Sequence, residues 1–293
     1  MRRFEEYHPA VSLVYYLSVI LVSTFTANPV VLSFSLFGAL LYLLLIDRKK
    51  RVLKDFWFYS VLFLLVVCTN PLVSHNGVTP LFFLNGQAVT LESILYGVSL
   101  AVTLAAVFSW FGSFNRVFTS DKLLFLLGRF SPKVSVVIAS ALRFLPLLRR
   151  KAGEIRSSGV AVGLYASESW WNRVKAGLST VSALVTWSLE QAVETGASMN
   201  ARGFRLKGRT HFSEFRFTGY DLAFLIVVIT FDALFFTALG LGKLQFAFYP
   251  RIAFERPGLL AFGAYAAYAV LFLLPAVLEI GEHLKWHYYR RKI

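Results

Sequence analysis

The sequence predicts an all-α membrane protein: about six transmembrane helices plus two long amphipathic helices lying outside the membrane. Three observations carry this reading. Of 293 residues, 57% are hydrophobic, and the mean hydropathy is +0.61, more apolar than a soluble domain of this size. The apolar residues gather in runs of spanning length, about 20 residues for a helix. The basic residues fall in alternate gaps between those runs, as the orientation of membrane proteins requires.

The first predicted span covers Val11 to Thr26. Ala27-Asn28-Pro29 ends it, because proline cannot continue a helix and disfavours helix in the residue before it. Val30 to Ile46 forms the second span, so the two make a tight hairpin. Phe56 to Thr69 is the third, and Ser93 to Phe111 the fourth, with Glu92 at its edge. Gly219 to Leu239 is the fifth, carrying Asp221 and Asp232. Leu259 to Ile280 is the sixth, interrupted by Pro275. The opening Met1-Arg2-Arg3 lacks a following small-residue cleavage site, so the first span is expected to be retained.

Formal net charge is +14, from 30 Lys and Arg against 16 Asp and Glu. Such a balance suits nucleic acid or anionic lipid. The charges here alternate with apolar runs, which favours membrane lipid; no soluble module remains to present a nucleic-acid groove. Arg48-Lys49-Lys50-Arg51 lies between spans two and three, and about half of all Lys and Arg lie from Ser113 to Thr218. Pro71 to Gly112 holds no Lys or Arg. A multi-pass cell-membrane protein with both termini cytoplasmic satisfies these placements. Three regions follow: residues 1–112 with four spans, 113–218 as a cytoplasmic helical segment, and 219–293 with two spans and a basic tail.

The cytoplasmic segment has its own pattern. Asp121 to Phe130 sets Leu123, Leu124, Leu126 and Leu127 against Lys122 and Arg129. Ser131-Pro132 supplies an N-cap and a first-turn proline. Val134, Val137, Ile138, Ala141, Leu142, Leu145 and Leu148 then recur at helical spacing, with a kink expected at Pro146. This helix fades at Gly159 and Gly163. A second helix runs from about Trp170 to Ala201, with Val174, Leu178, Val181, Val185, Leu189 and Ala192 on one face. At 1.5 Å per residue it reaches about 45 Å. It closes on Arg202-Gly203: a cation beside a helix stop, with a glycine free to turn left-handed. Taken alone, Arg202 reads as an ordinary cation favoured by the helix dipole.

Other residues support bland readings beside sharper ones. Cys68, the one cysteine, lies in an apolar run and is expected to be buried and inert. His283 and His287, with Glu279 nearby, have metal-ligand spacing. Their neighbours Trp286, Tyr288 and Tyr289 describe an interfacial anchor instead. Asp232 is either a functional intramembrane carboxylate or a sign that its surroundings reach the outer surface. Arg143 either braces the helix crossing, pairs with Glu190 or Glu194, or sits on a solvated face. No Gly-rich phosphate loop, Ser/His/Asp set or paired acids is present, so no catalytic residue, cofactor or metal is expected, and any ATP binding belongs to another chain.

Several strings in order resemble one family. They are His8-Pro9, Ala27-Asn28-Pro29-Val30, Phe118-Thr119, Leu126-Leu127-Gly128-Arg129-Phe130-Ser131-Pro132, Ala141-Leu142-Arg143-Phe144-Leu145-Pro146-Leu147-Leu148 and Ala201-Arg202-Gly203. Together they resemble the T component (EcfT or CbiQ type) of energy-coupling factor transporters over most of the chain. The resemblance implies a non-catalytic coupling subunit of an ATP-driven vitamin or metal-ion importer. Its partners would be two ABC-type ATPase subunits and a substrate-binding S component.

The resemblance also implies two coupling helices, each ending in an Ala-Arg-Gly-like triplet that docks on an ATPase. Here the second triplet is intact at Ala201, Arg202 and Gly203. The first is placed at Ser157, Ser158 and Gly159, with Ser158 where an arginine is expected; Arg156 points about 200° away around the helix. Arg143, Leu145 and Pro146 would form the core of the coupling helix. Docking is therefore expected to be asymmetric, with Arg202 dominant, since serine makes a neutral hydrogen bond where arginine makes a charge-assisted fork. Two rivals stand beside this reading: a membrane enzyme acting on a lipid or isoprenoid substrate, and a stand-alone secondary carrier, which would show internal repeats and broken helices.

Overall fold

The computed structural model describes residues 3–46, 49–74, 77–84, 87–165, 169–204, 206, 215–254 and 258–290. Among these residues there are nine α-helices: α1 (Pro9–Phe25), α2 (Pro29–Ile46), α3 (Lys49–Val73), α4 (Leu91–Val117), α5 (Ser120–Phe130), α6 (Pro132–Ala161), α7 (Trp170–Ala201), α8 (Gly219–Gly240) and α9 (Leu259–Arg290). Two small antiparallel hairpins join them, β1 (Pro80–Leu84) with β2 (Gln87–Thr90), and β3 (Phe246–Ala247) with β4 (Ala253–Phe254). The protein is an all-α membrane protein. Helices α2, α3, α4, α8 and α9 are long and apolar enough to cross a bilayer, and the 17-residue α1 is a shorter apolar helix beside them.

The helices outrun the apolar runs that announce them. Helix α3 begins at Lys49 rather than Phe56, and α9 continues past Ile280 to Arg290. A helix satisfies its own backbone, so charged turns extend a span into the interface at little cost.

The chain forms two compact units. The first comprises Met1–Leu123 and Phe215–Ile293, which hold α1 to α4, α8 and α9. There α4 packs against α1, α2 and α3, while α9 packs against α2 and α8. The core is aromatic: the Phe4 ring centroid lies 5.1 Å from Tyr15, 5.8 Å from Tyr16 and 5.9 Å from Tyr42. All three pairs are edge-on, the arrangement that ring quadrupoles favour. Trp110 is fully buried and donates Nε1–H to Ser35 Oγ at 3.0 Å. Small residues let backbones approach. A Cβ on Gly38 of α2 would lie 2.7 Å from the Phe272 carbonyl oxygen of α9. Close approach at small residues is how membrane helices gain contact where lipid gives no hydrophobic drive.

Polar residues at the helix ends are satisfied by distant partners. Asn28, in the break between α1 and α2, is buried; its Nδ2 donates to the Leu244 carbonyl at 3.2 Å and the Tyr265 hydroxyl at 2.8 Å. Its Oδ1 accepts from Val30 N–H at 3.1 Å, capping α2. Asp221 caps α8 by accepting from Thr218 N–H, and also takes the His8 N–H, both at 2.8 Å. Glu92 in the first turn of α4 is buried and accepts from Thr79 Oγ1 at 2.7 Å. Arg116 reaches Asp55 from α4 to α3 at 2.5 Å.

One expectation is corrected here, and two further residues have settings the sequence does not announce. Cys68 is exposed, not buried. It lies on α3, where Val66 and Pro71 alone of Leu53–Val73 are buried, so most of the apolar run there is a lipid-facing surface. Lys122 is not on a solvated face: it is buried, and its Nζ donates to the Glu5 carbonyl at 2.6 Å. Asp232 lies well inside α8, where its carboxylate accepts from Ser18 of α1 at 2.5 Å and from the Tyr268 hydroxyl of α9.

Candidate functional site

The second unit, Leu124–Glu214, contains α6 and α7. The pair is long and thinly covered. At 1.5 Å per residue, the 30 residues of α6 and 32 of α7 reach about 45 and 48 Å. No residue of α6 is buried, and Ala176 is the buried residue of α7. The predicted stripe of α7 is largely uncovered, with Leu178 64%, Val181 55%, Val185 54% and Leu189 64% exposed. An apolar stripe of this length on paired helices marks an interaction surface.

Aromatic contacts hold the crossing. The Phe144 ring of α6 stacks on Trp187 of α7, with centroids 5.5 Å apart and planes 13° apart. Lys151 Nζ lies over the same indole at 5.9 Å. Nearer the end of α6, the Tyr165 hydroxyl pairs with Thr180 Oγ1 at 2.8 Å. Arg143 does not perform this bracing. Among the described residues it pairs with neither Glu190 nor Glu194, and Glu194 instead accepts from Gln191 at 2.8 Å. Arg143 and Pro146 are exposed, and Leu145 is 52% exposed. Helix α6 runs unbroken through Pro146, although proline gives the Leu142 carbonyl no N–H.

Both helices end in one backbone device. At the end of α7, Gly203 has φ +79°. Its N–H donates to the Asn200 carbonyl, and Phe204 N–H reaches back to the Met199 carbonyl, both at 3.0 Å. At the end of α6, Gly163 has φ +80°. Its N–H donates to Val160 O at 3.0 Å, and Leu164 N–H reaches Gly159 O at 2.9 Å. These are paired Schellman caps, which place a left-handed glycine one residue beyond the C-cap. The C-cap residue is Arg202 in α7 and Val162 in α6. Residue for residue, Ala201-Arg202-Gly203 corresponds to Ala161-Val162-Gly163.

Ser157, Ser158 and Gly159 therefore lie inside α6, not at its end. Their side chains have local work. Ser157 Oγ donates to the Gly153 carbonyl at 2.9 Å and Ser158 Oγ to the Glu154 carbonyl at 3.0 Å. Serine in a helix interior commonly folds back in this way. A Cβ on Gly159 would stand 3.1 Å from the Tyr165 ring, so the missing side chain makes room for that ring. Arg156 is exposed. The resemblance places the first triplet at Ser157 to Gly159, whereas the residue that shares the backbone position of Arg202 is Val162; the sequence signal for it is the recurrence of Ala-x-Gly followed by Leu or Phe.

The chemistry of the two ends differs. The Arg202 guanidinium is exposed and engages no hydrogen-bond or ion-pair partner among the described residues. It sits where the helix dipole concentrates partial negative charge. Around Val162, the stretch 157–164 holds no ionisable side chain.

Lys122 of α5 belongs to the first unit and lies outside the spans. Burial pushes its ammonium below the ordinary lysine value. Glu279 and His283 stand 3.9 Å apart on α9, and the side chain of His287 lies outside the described residues.

Comparison with known proteins gives a consistent result. Residues 4–212 match the family model CbiQ, described as cobalt transport protein. The chain is similar to the energy-coupling factor transporter transmembrane protein EcfT of Bacillus selenitireducens, 26% identical over 232 residues, covering 71% of this chain and 82% of that one. It is also similar to EcfT of Bacillus subtilis, 28% identical over 106 residues, covering 36% of this chain and 40% of the relative.

Proposed function

The chain belongs to the CbiQ family of cobalt transport proteins, as a T component of the energy-coupling factor type, and on that premise we propose that it couples ABC-type ATPase subunits to a substrate-binding S component. Closure of the ATPases on ATP moves the ends of α6 and α7, and the helix pair passes that motion to the S component. Transmission requires contacts that differ between the two states. The cargo is a vitamin or metal ion, selected by the S component. The basic side of the membrane region, with Lys49–Arg51 and the tail, faces the cytoplasm.

One observation carries the docking site: an exposed arginine, unpaired among the described residues, fixed at the C-cap of a 32-residue helix by a left-handed glycine. A rigid helix end with a planar cation suits an acidic groove, where charge-assisted bidentate pairing is strongest. The uncovered stripe of α7 supports the S component as the partner along the helix length.

The test is co-purification of the full chain with its cognate ABC ATPase subunits in detergent. The wild type is expected to hold them and Arg202→Glu to release them. Retention by Arg202→Glu, in a chain that still inserts and folds, would overturn the assignment of Arg202. Uptake by the chain without any ATPase would return the carrier reading.

A further inference from the structure

We propose that the end of α6 docks on the ATPase pair by apolar contact through Val162, in a groove that lacks an acidic partner. This rests on the docking reading above and deepens it. The two ends of the helix pair are then chemically unequal plugs: one cationic, one aliphatic.

The starting point is the equivalence of the two caps. Val162 and Arg202 share a backbone conformation, φ −85° and ψ 1° against φ −80° and ψ 7°. Each precedes a glycine at φ +80° or +79°. Whatever surface Arg202 presents at one end, Val162 presents at the other. Val162 is 80% exposed, and Val160 beside it is 59% exposed. Two valines left uncovered on a rigid helix end gain free energy when a partner covers them, about 25 cal/mol per Å² of apolar surface.

Within α6, no nearby group supplies the missing cation. Ser158 Oγ is committed to the Glu154 carbonyl. Arg156 lies six residues before Val162, about 240° around the helix and 9 Å down its axis. Arg150 lies a further six residues back, about 18 Å from the end. An acidic groove facing Val162 would therefore keep a desolvated carboxylate without a partner, which costs more than it returns. Charge complementarity selects an apolar groove for this end and an acidic one for the end of α7.

Three variants of the full chain test this by co-purification with the cognate ATPase subunits. Val162→Arg is expected to weaken association about tenfold, because it forces an unpaired cation into an apolar contact. Val162→Ile is expected to stay within about twofold, since it preserves shape and polarity. In an Arg202→Gln chain the residual association is expected to be nearly insensitive to salt, as an apolar contact is not screened.

Val162→Arg binding as tightly as the wild type, or more tightly, would overturn the inference: the end would face solvent or an acidic groove. Loss of binding by Val162→Ile as severe as that of Val162→Arg would overturn it equally. Retained binding in Arg202→Glu is a separate result and strikes the docking reading itself. Both Val162 substitutions keep Gly163 and the cap, so folding is held constant and checked by helicity.

Discussion

Phe144 and Trp187 lie flat against each other, 5.5 Å between centroids, at the crossing of α6 and α7. Neither helix buries much else, so this stack, with Lys151 over the indole, carries a large share of what holds the pair together. Trp187→Ala removes the stack and the cation–π contact, worth about 1 to 3 kcal/mol together. The helix pair is expected to loosen while the membrane unit stays folded. Amide hydrogen exchange checks this: protection should fall along α6 and α7 and hold in α2, α4 and α9. Uniform loss across the chain would show that the stack matters to the whole fold.

Gly38 permits α2 to meet α9. Its Cβ would stand 2.7 Å from the Phe272 carbonyl oxygen and 3.0 Å from Phe272 Cβ, so backbone must shift to admit any side chain. Gly38→Val is expected to destabilise the membrane unit by about 1 to 3 kcal/mol, the usual cost of overpacking. Gly177, on α7, has nothing within 4 Å of its would-be Cβ. Gly177→Ala should be neutral or gain up to about 1 kcal/mol from helix propensity. Thermal unfolding in one detergent compares the two. Similar melting temperatures for both variants would contradict the packing argument.

Much of this architecture is legible in the residues, and the remainder fails for identifiable reasons. The limits of α7, the proline break before α2 and the left-handed glycine after Arg202 follow from local rules of caps and breakers. Gly159 and Gly163 bracket the end of α6, but the resemblance places the first triplet at Ser157 to Gly159, while the backbone cap that matches Arg202-Gly203 is Val162-Gly163. Cys68 is misplaced for a different reason. Hydropathy cannot separate a lipid-facing stripe from a packed one, so a thiol in an apolar run faces out of α3. It also cannot foresee that Lys122 finds a carbonyl 117 positions away. The partners of Asp232 are likewise remote, on α1 and α9.

Lys122 offers a pH test. Burial lowers its pKa below the ordinary value of about 10.4. A base with a depressed folded pKa costs stability while it is charged, and the cost is relieved as pH rises through that value. Stability is therefore expected to increase between the lowered pKa and about 10.4 and to gain nothing more from Lys122 beyond it. Lys122→Met should lose the bond to Glu5 yet also lose this dependence. Melting curves of both chains at a series of alkaline pH values check it; a parallel pH response in the two would refute the role of Lys122.

Asp232 joins three helices through one carboxylate, accepting from Ser18 on α1 and Tyr268 on α9. Tyr268 is 1% exposed, so its hydroxyl has no water to turn to if the acceptor is removed. Asp232→Asn keeps an acceptor oxygen and is expected to cost less than about 1 kcal/mol. Asp232→Leu keeps the branched shape but strands both hydroxyls, at about 1 to 3 kcal/mol each. A staple of this kind makes transport follow stability, so uptake should fall in the leucine variant in proportion to its folded fraction and persist in the asparagine variant. Uptake abolished in Asp232→Asn with an unchanged melting temperature would instead mean that the ionised carboxylate takes part in transport, as intramembrane acids often do.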